Sequence, residues 1–267
     1  MDKKQVAKRF QHHFTGEPRV FRAPGRVNLI GEHTDYNDGF VFPMAIDFYT
    51  TVAVTPTNDR KLYIRSQNMD ELIAIDLEKN QQRRNHWSDY VAGMAWVLEQ
   101  EGFRLPGASL YIESDVPVGS GLSSSAALEM STGLALMSTI GTELATIKLA
   151  LLGQKAENQF VGMNCGIMDQ FVSVHGKEKH ALFLDCRTLD FQLVPLKSDD
   201  VRVVICNTMV KHELGTSEYN KRRSECEQGV QIMSNDFPGI KALRDVTLEQ
   251  FESVQDKLPE LVRKRCH

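Results

Sequence analysis

A glycine- and serine-rich stretch, Asp115–Ala127, combines residue types that bind phosphate. It follows a strand-like segment and precedes a helix-like one, and Gly119 and Gly121 let the backbone approach a ligand closely. The start of a helix offers unpaired N–H groups and the positive end of the helix dipole, which attract anions. The hydroxyls of Ser123–Ser125 can cap that helix, donate to phosphate oxygens or ligate a hard cation. The stretch indicates an anion site, with a plain serine cap as the alternative.

The common nucleotide-binding and nucleophile motifs do not describe this stretch. No lysine follows its glycines, as a Walker A loop requires, and Ser124 stands where a Rossmann fingerprint has its third glycine. Ser123 has Gly121 two residues before it but Ser125 two residues after it, which excludes a nucleophile elbow.

A second polar stretch, Arg22–Asn37, contains two glycines among carboxylate, imidazole and amide side chains. A sugar hydroxyl can donate to a carboxylate and accept from an N–H group, so this mixture suits a polyol. A solvated polar loop is the alternative. The polar side chains are Arg26, Asn28, Glu32, His33, Asp35 and Asn37.

Two further carboxylates lie in apolar surroundings. Glu157 is late in a predicted helix, and Asp169 is flanked by apolar residues within the stretch Ile167–Phe171. A carboxylate in apolar sequence must be paired, hydrogen-bonded or functional. For Asp169 the simpler alternative is a helix cap.

The elements that must position these residues mix strands and helices without a regular βαβα alternation, which predicts an α+β fold. We expect a first domain over residues 1–198 and a second over 199–267. We predict strands over 40–54, a strand pair over 61–76, a strand over 109–114, two strands over 180–196 and a buried strand over 201–207. We predict helices from Val6 to Phe14 and over 87–100, 123–140, 144–160 and 217–233. A further helix should begin at a capping box at Thr247.

Composition excludes several classes of protein. With 42% hydrophobic and 25% charged residues the chain should bury a core. Its net charge of −4 argues against nucleic acid as a partner. No apolar stretch approaches the roughly 20 residues that span a bilayer, so we expect no membrane partner. Five cysteines without a C-x-x-C pair, after a start that does not resemble a signal peptide, indicate reduced thiols in the cytoplasm.

Taken together, the motifs resemble those of the galactokinase family. Pro24–Tyr36 resembles its sugar signature, and Gly166–Gln170 resembles its aspartate segment. Pro117–Ala127 resembles the phosphate loop of the wider superfamily of galacto-, homoserine, mevalonate and phosphomevalonate kinases. The resemblance implies a two-domain α+β kinase whose N-terminal domain is ribosomal protein S5 domain 2-like. It also implies phosphorylation of the anomeric hydroxyl of α-D-galactose by ATP with Mg²⁺. Separately, we expect the protein to be a monomer.

The resemblance also implies a role for each matching residue. Asp169 would be the catalytic base and Arg26 would stabilise it and the transferring phosphate. Ser125 and Glu157 would bind magnesium. The sugar contacts would be Glu32, His33, Thr34, Asp35 and Tyr219, and the nucleotide contacts would be Ser66, Gly119, Ser120, Gly121, Leu122, Ser123, Ser124 and Ser125.

One departure from the family pattern concerns the end of the chain. The family carries a third, glycine-rich motif that residues 1–267 lack, so we expect the second domain to be incomplete and this chain alone to have no kinase turnover above background. Two alternative functions stay open: an N-acetylgalactosamine kinase, and a regulator that binds sugar and ATP without catalysis.

Overall fold

The computed structural model describes residues 2–196, 203–207 and 215–267. Strands and helices mix along the chain without βαβα alternation, which confirms the α+β class. The elements in chain order are α1 (Lys3–Phe10), β1 (Arg19–Asn28), β2 (Phe40–Val41), β3 (Pro43–Thr57), β4 (Lys61–Ser66), β5 (Glu71–Asp76), α2 (Asp89–Gln100), β6 (Gly107–Ser114), α3 (Ser124–Thr139), α4 (Thr146–Ala156), α5 (Met168–His175), β7 (His180–Asp185), β8 (Phe191–Pro195), α6 (Gly215–Ser234), α7 (Leu248–Val254) and α8 (Glu260–Cys266).

The larger sheet has the strand order β1-β3-β6-β4-β5. Its neighbouring strands are antiparallel except β4 and β6, which run parallel. Because side chains alternate across a strand, Val52 and Val54 of β3 join the main core with helices α2, α3 and α4. Ala53 faces the other side and packs with Phe10 of α1. The sheet is therefore covered by helices on both faces.

The smaller sheet, β2-β7-β8, is antiparallel and packs on α5. Phe171 and Val172 of α5 are fully buried against Leu182 and Leu184 of β7. This packing fixes the direction of α5, whose first turn carries Asp169. The two strands predicted within 180–196 are confirmed.

The last three helices have a small core of their own around Met233 and Phe251. The predicted capping box is confirmed, since the Thr247 hydroxyl accepts the Gln250 N–H group and the Gln250 side chain accepts from Thr247. Arg244 makes a two-pronged ion pair with Asp185 at the end of β7, which ties these helices to the smaller sheet.

The strand predicted over 201–207 is wrong for the residues of it that the structure describes. Residues 203–207 form no strand, and Val204 is 78% exposed. An apolar run becomes a buried strand only when it pairs with a neighbouring strand, and neither sheet of the described residues includes this segment. Residues 201–202 of that segment, and the expected domain boundary at 198, lie outside the described residues. No helix in the described part of the chain is long and apolar enough to cross a membrane.

Candidate active site

A cavity of about 1210 Å³ brings the three motifs together. Its walls come from the end of β1, the loop before α3, the five-residue π-helical turn Glu157–Val161, the first turn of α5, and α6. Of the predicted site residues it is lined by Arg26, Glu32, His33, Asp35, Ser66, Gly119, Gly121, Leu122, Ser123, Ser124, Ser125, Glu157, Asp169 and Tyr219.

The loop before α3 has a backbone that opens the helix start to the cavity. Gly119 and Gly121 take φ values of 73° and 76°, which favour glycine. Ser123 is also left-handed, with φ of 59°, and among the described residues no side chain caps the first N–H groups of α3. These donors and the helix dipole therefore remain available to an anion.

The hydroxyl of Ser123 donates to Asp169 instead of capping the helix, with an Oγ–Oδ2 distance of 2.6 Å. Arg26 makes a bidentate pair with the same carboxylate: Nε to Oδ1 and Nη2 to Oδ2 are each 2.8 Å. The second terminal nitrogen of Arg26 donates to the carbonyl oxygen of Gly121 at 2.5 Å. The phosphate-type loop, the arginine and the aspartate therefore form one hydrogen-bonded unit.

Asp35 lies close enough to Asp169 for the two charges to interact. Burial, and next the negative charge of Asp169, raise the pKa of Asp35 to about 6. Hydrogen bonds from the backbone N–H groups of Tyr36 and Met168 lower this pKa and so offset part of the increase. Gly166, three residues before Asp169, packs directly against Asp35, because a Cβ atom there would lie 2.0 Å from Oδ2 of Asp35. Two carboxylates are thus held near one another at the cavity wall.

Three rings form a cluster beside Asp35. The ring centre of Tyr219 is 5.6 Å from those of His33 and Tyr36. His33 Nδ1 and the Tyr36 hydroxyl are 2.8 Å apart. Burial, followed by the positive charge of Arg222, lowers the pKa of His33, so its neutral form is favoured. Nearby, the Asn28 amide donates to Glu32 at 3.2 Å. This end of the cavity combines aromatic, acidic and amide side chains with the Arg222 guanidinium nearby.

A buried carboxyl pair lies behind the start of α3. The Gln170 amide nitrogen is 2.6 Å from Oε2 of Glu157 and 2.9 Å from Oε2 of Glu129. Burial raises the pKa of both carboxyl groups, that of Glu157 to about 7, and Ser125 donates to Glu157. A hydroxyl and a carboxylate therefore meet where the helix N–H groups face the cavity.

Two predicted site residues do not line the cavity. The Thr34 hydroxyl is within 2.8 Å of the Gly31 carbonyl oxygen and 2.6 Å of the Phe40 carbonyl oxygen, so it fixes the turn rather than facing a ligand. The Ser120 hydroxyl donates to the Pro117 carbonyl oxygen at 2.7 Å. In both cases a backbone carbonyl has taken the donor.

Several cavity or supporting residues were not expected from the sequence. Asn68, Trp87, Tyr90 and Arg222 line the cavity, and Glu129 and Gln170 support it. Glu129 had a detectable signal, since it is the single charge between two long uncharged stretches. Gln170 lay within the Gly166–Gln170 segment without a role assigned to it, and the remaining four have no sequence pattern of their own.

Comparison with known proteins identifies matches over most of the chain. The family described as "Galactokinase galactose-binding signature" matches residues 8–56, and "GHMP kinases N terminal domain" matches residues 89–177. A galactokinase of Roseiflexus sp. (strain RS-1) is 44% identical over 267 residues, which is 100% of this chain and 68% of that relative.

Solved structures give the same picture. The Lactococcus lactis galactokinase complexed with galactose aligns with a TM-score of 0.92 at 37% identity, over 98% of this chain and 69% of that one. The Methanococcus jannaschii mevalonate kinase aligns with a TM-score of 0.60 at 18% identity, over 94% and 80% of the respective chains, and shares the fold.

Proposed function

The chain belongs to the galactokinase family, and on that premise we propose that it transfers the γ-phosphoryl group of ATP to the anomeric hydroxyl of α-D-galactose. The products are galactose 1-phosphate and ADP. The observation that carries the proposal is the position of Asp169, which touches the Ser123 hydroxyl and lies close to Asp35. A reaction between a sugar and a bound phosphate takes place at such a junction.

In this proposal the sugar occupies the acidic and aromatic end of the cavity. Glu32, His33 and Asp35 supply hydrogen-bond acceptors and donors for its hydroxyls, and the Tyr219 ring closes the site. Neutral His33 can donate from one ring nitrogen and accept at the other. Thr34 acts indirectly, by holding the turn that presents these side chains.

ATP occupies the opposite end. The Gly119–Ser125 loop and the open start of α3 offer N–H donors to the phosphate oxygens, and Ser66 and Trp87 line the same cavity. The donor set of Ser125 and Glu157 suits Mg²⁺, which takes one or two protein oxygens and retains water. When bound, the ion supplies positive charge to the phosphate oxygens.

Asp169 acts as the base. An ionised carboxylate offers about four acceptor positions, and the hydrogen bonds from Arg26 and Ser123 take three of them. One position remains to take the proton of the anomeric hydroxyl. Arg26 holds the carboxylate in place and offers positive charge where the phosphoryl group passes, and charge of that kind is the main protein contribution to phosphoryl transfer.

We also propose that residues 1–198 form the kinase's N-terminal domain, that 199–267 belong to its second domain, and that the protein acts as a monomer in the cytoplasm. The separate core around Met233 supports the division, and five free cysteines suit a reducing compartment. Light scattering behind size-exclusion chromatography, on the protein as purified from its natural host, tests the monomer.

A coupled ADP-release assay on the natural protein tests the reaction itself. We expect turnover with galactose, ATP and Mg²⁺, and phosphorus NMR should place the new phosphate on the anomeric carbon. N-acetylgalactosamine serves as the matched substrate. Faster turnover with N-acetylgalactosamine would identify that sugar as the substrate in place of galactose. Binding of sugar and ATP without ADP release would favour a regulator.

A further inference from the structure

A short loop, residues 162–165, connects the helical turn that carries Glu157, a proposed magnesium ligand, to the start of α5, which carries the proposed base Asp169. It begins after the helical turn that carries Glu157 and ends at Gly166, three residues before Asp169. Gly162 enters the loop with a φ of 83°. Gly166 packs so closely against Asp35 that it has no room for a side chain. A small displacement of the loop would therefore shift Gly166, and with it Asp169, relative to Asp35.

Helix α6 holds the loop by its backbone through two side chains. Asn220 accepts the Asn164 N–H group at 2.8 Å and donates to the Gly162 carbonyl oxygen at 3.0 Å. Arg223 donates from Nη1 to the carbonyl oxygens of Asn164 and Cys165, at 3.0 and 3.1 Å. The Cys165 carbonyl oxygen also accepts from the side chains of Gln154 and Asn158, at 3.4 and 3.3 Å, so α6 shares the anchoring of this end of the loop with α4 and the helical turn.

The same helix face carries a sugar-side residue. Tyr219 and Arg223 are four residues apart, so they lie on one side of α6, and Asn220 lies about 60° around the helix from Arg223. Tyr219 reaches the His33 ring, and the guanidinium carbon of Arg223 lies 5.9 Å from the centre of the Tyr36 ring. One helix therefore contacts both the sugar end of the cavity and the loop that leads to Asp169.

We infer that Asn220 and Arg223 are positioning residues that hold the 162–165 loop, so that Asp169 stays aligned with a sugar enclosed by Tyr219. The inference rests on the proposed function, because alignment has meaning only for a reaction at Asp169. Neither side chain lines the cavity, and both donate to or accept from the backbone of the loop. They act on Asp169 through Gly166.

Kinetics of the natural protein test this role with Asn220→Ala and Arg223→Lys. Arg223→Lys keeps the charge but lacks the planar guanidinium fork, whose geometry a lysine does not reproduce. We expect kcat with galactose to fall by about ten- to a hundredfold, the cost of a misplaced reacting group. The KM for ATP should stay within about threefold, because the phosphate loop is not touched. Lys221→Ala, at an exposed position of the same helix, is the matched control and should behave as wild type.

Hydrogen exchange gives a second readout that does not depend on turnover. The Asn164 amide should exchange about tenfold faster in Asn220→Ala, since its hydrogen bond to Asn220 is lost. Thermal unfolding checks that both variants are folded. A wild-type protein without ADP release overturns the proposed function and this inference together. An active wild type whose variants keep normal kcat, or whose Asn164 amide exchanges no faster, overturns only the inference.

Discussion

Replacing Asp35 by asparagine should increase the free energy of unfolding and lower the affinity for galactose. Asp35 titrates near pH 6 in the fold against 3.8 for the free group, mainly because it is buried and next because Asp169 is close. A raised pKa means that the folded state binds the proton more tightly than the unfolded chain. The stability that this provides is complete at low pH and is lost as pH rises from about 4 to about 6.

The magnitude follows from the shift. Roughly two pKa units at about 1.4 kcal/mol each give an upper bound of about 3 kcal/mol lost above pH 6. Asparagine carries no charge, and its oxygen can still accept the N–H groups of Tyr36 and Met168. We therefore expect Asp35→Asn to raise the free energy of unfolding by about 1–3 kcal/mol at neutral pH, and Tm by about 2–4 °C for each kcal/mol.

Thermal unfolding of both proteins at about pH 4.5 and about pH 7.5 measures the effect, which should be about three times larger at the higher pH because much of the loss has not yet occurred at pH 4.5. The exposed Asp190→Asn is the matched control and should shift Tm at neither pH. Calorimetry should show galactose affinity reduced about ten- to a hundredfold, the value of a charged hydrogen bond, with an ATP analogue bound normally. A variant that is no more stable than wild type at pH 7.5, or equally stabilised at both pH values, would refute the reasoning.

Substitutions at three other positions test the rest of the site. Asp169→Asn should lower kcat by at least about 10²–10⁴-fold while leaving ATP binding intact, because the base is lost; near-normal turnover in the ADP assay would exclude Asp169 as the base. Ser123→Ala and Ser123→Gly should both lower kcat about tenfold, since each removes the hydroxyl that holds Asp169. If only the alanine variant lost activity, the effect would come from the left-handed backbone at this position and not from the hydroxyl. Gly166→Ala places a carbon 2.0 Å from the Asp35 carboxylate and should cost about 1–3 kcal/mol in a urea titration, with galactose binding lost; a variant that binds galactose normally contradicts that close contact.

The sequence predicted elements well where local chemistry decides them. The helix starting at 124, the strand ending at 114 and the capping box at Thr247 follow from periodicity, glycine punctuation and side-chain caps. Asp169 was a candidate because a carboxylate among apolar residues needs a reason. Its partner Arg26 lies 143 residues away, and in this sequence only the family resemblance linked them.

Where long-range geometry decides, local pattern was insufficient. Thr34 has the residue type of a sugar ligand, but two carbonyl oxygens surround its hydroxyl once the turn has formed. The apolar run at 203–207 has the composition of a strand, yet pairing depends on a neighbour that its own residues do not specify. The contacts of Asn220 and Arg223 with the 162–165 loop span nearly 60 residues and have no local signature at all.

The two tryptophans occupy environments different enough to make the protein its own optical sensor. Trp87 lines the cavity, where its indole N–H donates to Glu71 at 3.0 Å, whereas Trp96 packs against Phe160 with ring centres 5.8 Å apart. A ligand that enters the cavity near Trp87 changes the polarity around that indole and leaves Trp96 as a constant background. Intrinsic fluorescence of the unlabelled chain therefore reports occupancy of one end of the cavity, and a Trp96→Phe variant would leave that signal isolated.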